Sequence, residues 1–187
     1  AHTSLESNSS YVWPLQSPSP EAIDEAFSGA THVVEREFVN QRLIPLAMEP
    51  RAVVASPMGH SGEFTVWSAT QVPHILRLML ALTCGIPEHQ LRVVAPDVGG
   101  GFGSKLNVYA EEALALVLAK RLGRPVKWTE TRSEGFQATC HGRDQIQRIS
   151  LAMDADGRFR GLKVDLLADM GAYLQLVTPG VPILGAF

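Results

Sequence analysis

Seven consecutive residues, Gly99-Gly100-Gly101-Phe102-Gly103-Ser104-Lys105, hold four glycines. That density costs backbone entropy, so a conformation or a ligand must require it. Glycines admit positive φ and let a ligand come close to the main chain. Set between a strand and a helix, such a loop offers free N–H groups and the positive end of a helix dipole, which suits anions and phosphates above all. A tight turn packed against another stretch of backbone uses the same residues, and the pattern alone leaves both readings open. Two phosphate motifs fail on spacing. A Walker A loop needs Gly-Lys followed by Ser or Thr, whereas Lys105 follows Ser104 and precedes Leu106. A dinucleotide fingerprint needs G-x-G-x-x-G, but its last position falls on Ser104 counted from Gly99 and on Leu106 counted from Gly101.

Other reactive residues form no clear constellation. Glu111-Glu112 are adjacent, and adjacent residues on a helix point in different directions, so they are weak as an acid/base pair. The 6 histidines show neither HExxH nor HxxEH spacing. His141, Arg143 and Asp144 read as a structural hydrogen-bond cluster rather than a triad, and no GxSxG nucleophile turn is present. Cys84 and Cys140 make no disulfide framework and no CxxC site. Lys105 reads as a solvated charge that could reach a phosphate.

The elements that must position the loop are legible around it. The chain has 187 residues, 45% hydrophobic and 19% charged, with a net charge of -3. That composition excludes a disordered acidic tail and a basic nucleic-acid arm. No apolar run reaches membrane-spanning length, and a reducing, cytoplasmic setting is the expectation. The chain starts without Met and stops in the apolar stretch 181–187, as a fragment of a longer protein would. Residues 1–30, with Ser17-Pro18-Ser19-Pro20, read as a linker or the tail of an upstream domain, apart from a short helix over Glu21–Phe27. Residues 31–187 read as one truncated domain. Thr31–Asn40 alternates as a half-buried strand does, Ala52–Ala55 starts an apolar run, and Phe64–Thr70 is a strand. Pro73 opens a helix whose stripe Val72, Ile75, Leu76, Met79, Leu80 and Thr83 is core packing, with Gly85 as its stop. Leu91–Ala95 is a short buried strand. Asn107 caps a helix that runs to Leu122 and stops at Gly123, and Pro125–Thr131 is a strand. Asp156-Gly157 then turns a hairpin between Gln145–Met153 and Arg160–Leu167. The fold class is therefore α+β (mixed α/β), a βαβαβ core with parallel strands followed by a β-hairpin.

Taken in order, the segments resemble one family. VGGGFGSK follows WSATQ, which ends at Gln71. Met48-Glu49-Pro50 lies near the domain start. Lys127 to Glu134 fits K-W-x-E-x-R-x-E, and His141–Asp144, Asp154–Gly157 and Asp169–Tyr173 complete the series. This set resembles the molybdopterin-binding large subunit of the xanthine dehydrogenase and aldehyde oxidase family. Its cast is most similar to the carbon monoxide dehydrogenase branch, with aldehyde or N-heterocycle hydroxylases next. A non-redox phosphate- or nucleotide-binding α/β module is the alternative from another class.

The resemblance implies a molybdenum hydroxylase that oxidises a small substrate with water-derived oxygen. It implies a molybdenum–molybdopterin cofactor, in the cytosine dinucleotide form, and partner subunits or domains carrying FAD (a medium subunit) and a 2Fe–2S centre (a small subunit). No nucleic acid and no transmembrane segment are implied. Gln71 takes the catalytic position, its amide reaching toward an oxo ligand. Gly100, Gly101, Phe102 and Gly103 take the cofactor loop, with Phe102 shielding the site. No residue ligates the metal directly; Gln71 and Phe102 lie near it. Purine-oxidising relatives carry Glu where this chain has Leu106, which argues against a xanthine-type substrate. The family's catalytic base, substrate loop, most dinucleotide contacts and copper-carrying cysteine fall beyond Phe187, and neither Cys84 nor Cys140 matches that cysteine. The isolated chain is expected to be inactive.

Overall fold

A computed structural model describes residues 7–15, 19–59 and 62–173. Part of the Ser-Pro segment and the apolar tail from residue 174 lie outside the described residues. The chain forms two compact units. Among the described residues, one is Leu43–Gly142; the other combines the residues up to 42 with residues 143–173.

Helix α1 (Pro20–Ser28) opens the second of these. Ser19 Oγ accepts from the Ala22 N–H at 3.3 Å, and Pro20 fills a position that needs no donor. Strand β1 (His32–Asn40) follows. After the Leu43–Gly142 unit the chain returns as β6 (Gln145–Met153) and β7 (Phe159–Ala168), giving an antiparallel sheet of order β1-β6-β7. The Asp-Gly turn is where the sequence predicts it, with Gly157 at φ 84° and a register shift at Ala152/Met153. The expected half-burial of β1 is not found: its residues are exposed on both faces up to Val39. Alternation marks a face that can be covered, not one that is.

The Leu43–Gly142 unit is closed at its ends by two backbone bonds between Leu43 and Gly142, 3.1 and 2.8 Å long. It holds β2 (Ala52–Met58), β3 (Glu63–Ser68), α2 (Pro73–Cys84), β4 (Leu91–Val94), α3 (Ala110–Leu122), β5 (Val126–Thr129) and α4 (Arg132–Ala138). β3 and β4 are parallel, as a strand–helix–strand unit predicts, with Phe64 opposite Leu91 and Trp67 opposite Val94. β5 runs in the same direction but does not join them. It pairs with β2, which is antiparallel to both its neighbours, so the order is β4-β3-β2-β5. The βαβαβ chain order holds; the all-parallel pairing does not. Val53, Ala55 and Val66 from the sheet bury against Leu76 and Leu80 of α2 and Ala115, Leu116 and Ala119 of α3. Gly85 and Gly123 end the helices at φ 61° and 64°.

Two local expectations are corrected. The strand expected over Pro125–Thr131 does not run on through the K-W-x-E-x-R-x-E motif. It breaks after Thr129, and Thr131 and Glu134 form a reciprocal capping box that starts α4. Asn107 does not cap α3; Tyr109 stands at that position, its N–H donating to Glu112 Oε2 at 3.0 Å. Asn107 is buried, and its Oδ1 accepts no hydrogen bond among the described residues.

Candidate cofactor site

Gln71 and the glycine loop both follow the carboxyl ends of the parallel strands β3 and β4, the edge where open α/β sheets hold ligands. They touch. The Gln71 N–H donates to the Lys105 carbonyl at 2.9 Å. The Gln71 Oε1 accepts from the N–H groups of Gly103 at 3.1 Å and Lys105 at 3.3 Å. Two donors on one end of a carboxamide fix its orientation, because only the oxygen can accept. The Gln71 NH2 therefore turns away from the loop and meets no protein acceptor among the described residues.

The loop's own bonds sort its amides. Ser104 donates from both N–H and Oγ to the Gly101 carbonyl, each at 2.9 Å. A trans peptide sets its C=O and N–H in opposite directions. With the Gly101 carbonyl turned in toward Ser104, the Phe102 N–H points the other way. Neither Gly101 nor Phe102 donates from its N–H among the described residues. Phe102 is 72% exposed at φ 50°, a conformation uncommon outside glycine. That excludes the plain core aromatic. Its ring lies back toward Gly100, where an added Cβ would come within 3.1 Å of it.

The glycines answer to different needs. A Cβ on Gly101 would run into the Gln71 carboxamide, and one on Gly99 would come within 2.7 Å of the Glu49 Cβ. These two make room for the protein's own side chains. Gly103, at φ 94° with nothing near its missing side chain, is required by conformation alone. Nor does the loop enter α3 directly. It ends five residues early, and the first turn of α3 already carries Glu111 and Glu112. The available donors are loop amides, not a helix terminus.

Lys105 corrects its expectation. It is 2% exposed, and its Nζ bonds Glu49 Oε2 at 2.8 Å. The same oxygen accepts from the Gly99 N–H at 2.8 Å, while the Glu49 N–H donates to the Gly99 carbonyl at 3.2 Å. The hydrogen bond from Lys105 is the main reason the Glu49 carboxyl lies below its ordinary range. Glu49 is the residue that sequence reasoning missed; Met48-Glu49-Pro50 marked it without assigning it work.

Beneath the loop, the Tyr109 hydroxyl donates to the Ser104 carbonyl at 2.6 Å and lies 3.9 Å from Cys140 Sγ, itself 3.9 Å from the Gly103 carbonyl. Burial pushes the Tyr109 phenol well above its usual range, so it stays a donor. Arg51 stacks 3.8 Å over the Tyr109 ring and bonds Glu130 through Nη2 at 2.7 Å and Glu111 through Nη1 at 3.2 Å. Glu112 instead accepts from Ser68 Oγ at 2.6 Å, with its pKa raised by burial. Glu111 and Glu112 thus diverge, as adjacent helical residues must.

A cradle of unpaired N–H groups and one outward carboxamide offers hydrogen-bond donors to the anionic oxygens of a ligand. The model of the molybdopterin cofactor-binding domain family matches residues 4–187. The carbon monoxide dehydrogenase large chain of Afipia carboxidovorans is 39% identical over 159 residues, covering 85% of this chain and 20% of that one. The nicotine 6-hydroxylase large subunit of Paenarthrobacter nicotinovorans is 39% identical over 151 residues, 81% of this chain and 18% of its own. The solved quinoline 2-oxidoreductase of Pseudomonas putida 86 superposes with a TM-score of 0.74 at 40% identity, over 82% of this chain and 20% of that chain. This chain spans about a fifth of the length of the curated relatives it matches. No described helix is long and apolar enough to cross a membrane. With the match running through both units and the glycine loop intact, the chain belongs to the molybdopterin cofactor-binding domain family.

Proposed function

We propose that this chain is the part of a molybdenum hydroxylase large subunit that holds one side of a molybdopterin centre, most like that of carbon monoxide dehydrogenase. One observation carries the reading. The Gln71 oxygen is occupied by the loop's own amides, which leaves its NH2, with the N–H groups of Gly101 and Phe102, available to acceptor oxygens. The NH2 donates to an oxo oxygen without bringing charge. The two main-chain N–H groups take oxo or phosphate oxygens, and the exposed Phe102 ring shields the centre from water. When bound, the centre supplies the two-electron oxidation of a small substrate with oxygen from water. We place the cofactor in its cytosine dinucleotide form, the electron acceptors on FAD and 2Fe–2S partner chains, and the complex in the cytoplasm.

A second reading, an N-heterocycle hydroxylase, draws support from the nicotine and quinoline relatives at 39% and 40% identity. Metal analysis of the full-length protein tests the first step. Stoichiometric molybdenum in wild type and its loss in Gln71→Ala are expected; a metal-free protein that binds nucleotide would replace the reading with the phosphate-binding module. Turnover of carbon monoxide against quinoline and nicotine, with an artificial electron acceptor, separates the two substrates.

A further inference from the structure

The loop that offers the unpaired amides is the part of the unit least able to hold itself. Four of its seven residues are glycine, and a loop of that kind loses much freedom when a ligand orders it. Yet both of its ends are fixed by one atom. Glu49 Oε2 bonds the Gly99 N–H at one end and the Lys105 ammonium at the other, 2.8 Å in each case. The Glu49 N–H adds a 3.2 Å bond to the Gly99 carbonyl. Lys105 is buried, so its charge is paid for by this carboxylate and cannot reach an outside anion. Across the loop, Gln71 ties the Gly103 and Lys105 amides. The anchors from Glu49, Gln71 and Tyr109 fall at Gly99 and at Gly103–Lys105, and the stretch between is where the free N–H groups lie.

We propose that Glu49 is a positioning residue whose single carboxylate oxygen clasps both ends of the Gly99–Lys105 loop and so pre-orders the Gly101 and Phe102 amides for the molybdopterin centre. The inference rests on the cofactor reading above. Glu49 touches neither cofactor nor substrate in this account; it acts through the loop. Its exchange for a side chain without an acceptor frees Gly99 and leaves the Lys105 ammonium buried and unpaired.

The test uses the full-length protein, purified as the complex it forms, with Glu49→Ala and Glu49→Gln beside wild type. The readouts are the rate of molybdenum loss at fixed temperature and the Mo(V) electron paramagnetic resonance signal after dithionite. Gln keeps an acceptor oxygen at the same reach, while Ala removes it. Glu49→Ala is expected to lose molybdenum at least about tenfold faster, the scale of one charge-assisted hydrogen bond, and to show an altered signal. Glu49→Gln is expected to stay within about threefold of wild type with the native signal, the neutral acceptor giving up only part of that bond. Glu49→Ala holding molybdenum as long as wild type, with the native signal, would overturn the clasp. So would equal loss in both variants alongside a common fall in unfolding temperature, since Glu49 would then be a stability element alone. Wild type without molybdenum would overturn the cofactor reading, and the clasp's role with it.

Discussion

Gly101 and Gly103 sit two residues apart and are glycine for unrelated reasons. At Gly101 the φ is unremarkable, and the obstacle is the Gln71 carboxamide in the space a Cβ would take. At Gly103 the space is open and the obstacle is φ 94°. Alanine at 101 overpacks the contact and costs about 1–3 kcal/mol, and it also pushes the Gln71 oxygen off the Gly103 and Lys105 amides. Alanine at 103 costs about 1–3 kcal/mol of backbone strain and leaves Gln71 in place. Urea unfolding of the two variants therefore gives similar midpoints. Their response to a second change, Gln71→Ala, differs. Shortening Gln71 relieves the clash in the 101 variant, so the double variant recovers stability relative to Gly101→Ala; at 103 nothing is relieved. Equal behaviour in the two backgrounds would show that the Gln71 contact does not dictate the glycine.

At the scale of elements, Arg51 is the join. It enters just before β2, and its guanidinium reaches Glu130 past the end of β5, Glu111 on α3, and the rings of Tyr109 and Trp128. Arg51 and Glu130 are both buried. Arg51→Met strips Glu130 of its partner and is expected to cost about 3–5 kcal/mol, while Arg51→Met with Glu130→Leu recovers most of that loss because no buried charge is stranded. Chemical denaturation of the single and double variants checks it; a double variant as unstable as the single would show that Arg51 acts by packing alone. This join also marks where sequence reading stops. Helices α1, α2 and α3 are legible because period, Pro20, Pro73, Gly85 and Gly123 are local signals, and Asp156-Gly157 announces its hairpin. Nothing near Trp128 says that β5 pairs with β2 rather than β4, a choice made by contacts far along the chain. Lys105 looks solvated because Glu49 is 56 residues away. The start of α4 was readable: Thr131 and Glu134 have capping-box spacing, but the apolar and β-branched run before them reads as continuing strand. In the site, Gln71 and the glycine loop were legible from motif, whereas the clasp and the division of labour among the glycines required coordinates.

Over the whole molecule, the core is divided unevenly. Among the described residues, only Ala152 of the buried apolar set belongs to the sheet of β1, β6 and β7; the rest lie between Leu43 and Gly142. That sheet leaves Val33, Phe38, Val39, Leu162 and Leu167 exposed. It gains cover from α1, where the Phe27 ring lies 3.0 Å from where a Cβ on Gly161 would stand. Opening free energies follow buried apolar contacts and protected hydrogen bonds. Native-state hydrogen exchange on this chain should therefore resolve two classes. Amides of β3, α2 and α3 exchange only near the global limit, and those of β1, an edge strand with neither face buried, exchange fastest. Phe27→Ala, which removes a ring from α1, is expected to speed exchange in β6 and β7 and to leave β2 and β3 unchanged. A single common opening energy in wild type, or a Phe27→Ala effect spread evenly over both sheets, would mean that the chain opens as one cooperative body. The glycine loop lies in the better-buried unit, so a stable cradle does not depend on how firmly the exposed sheet is held.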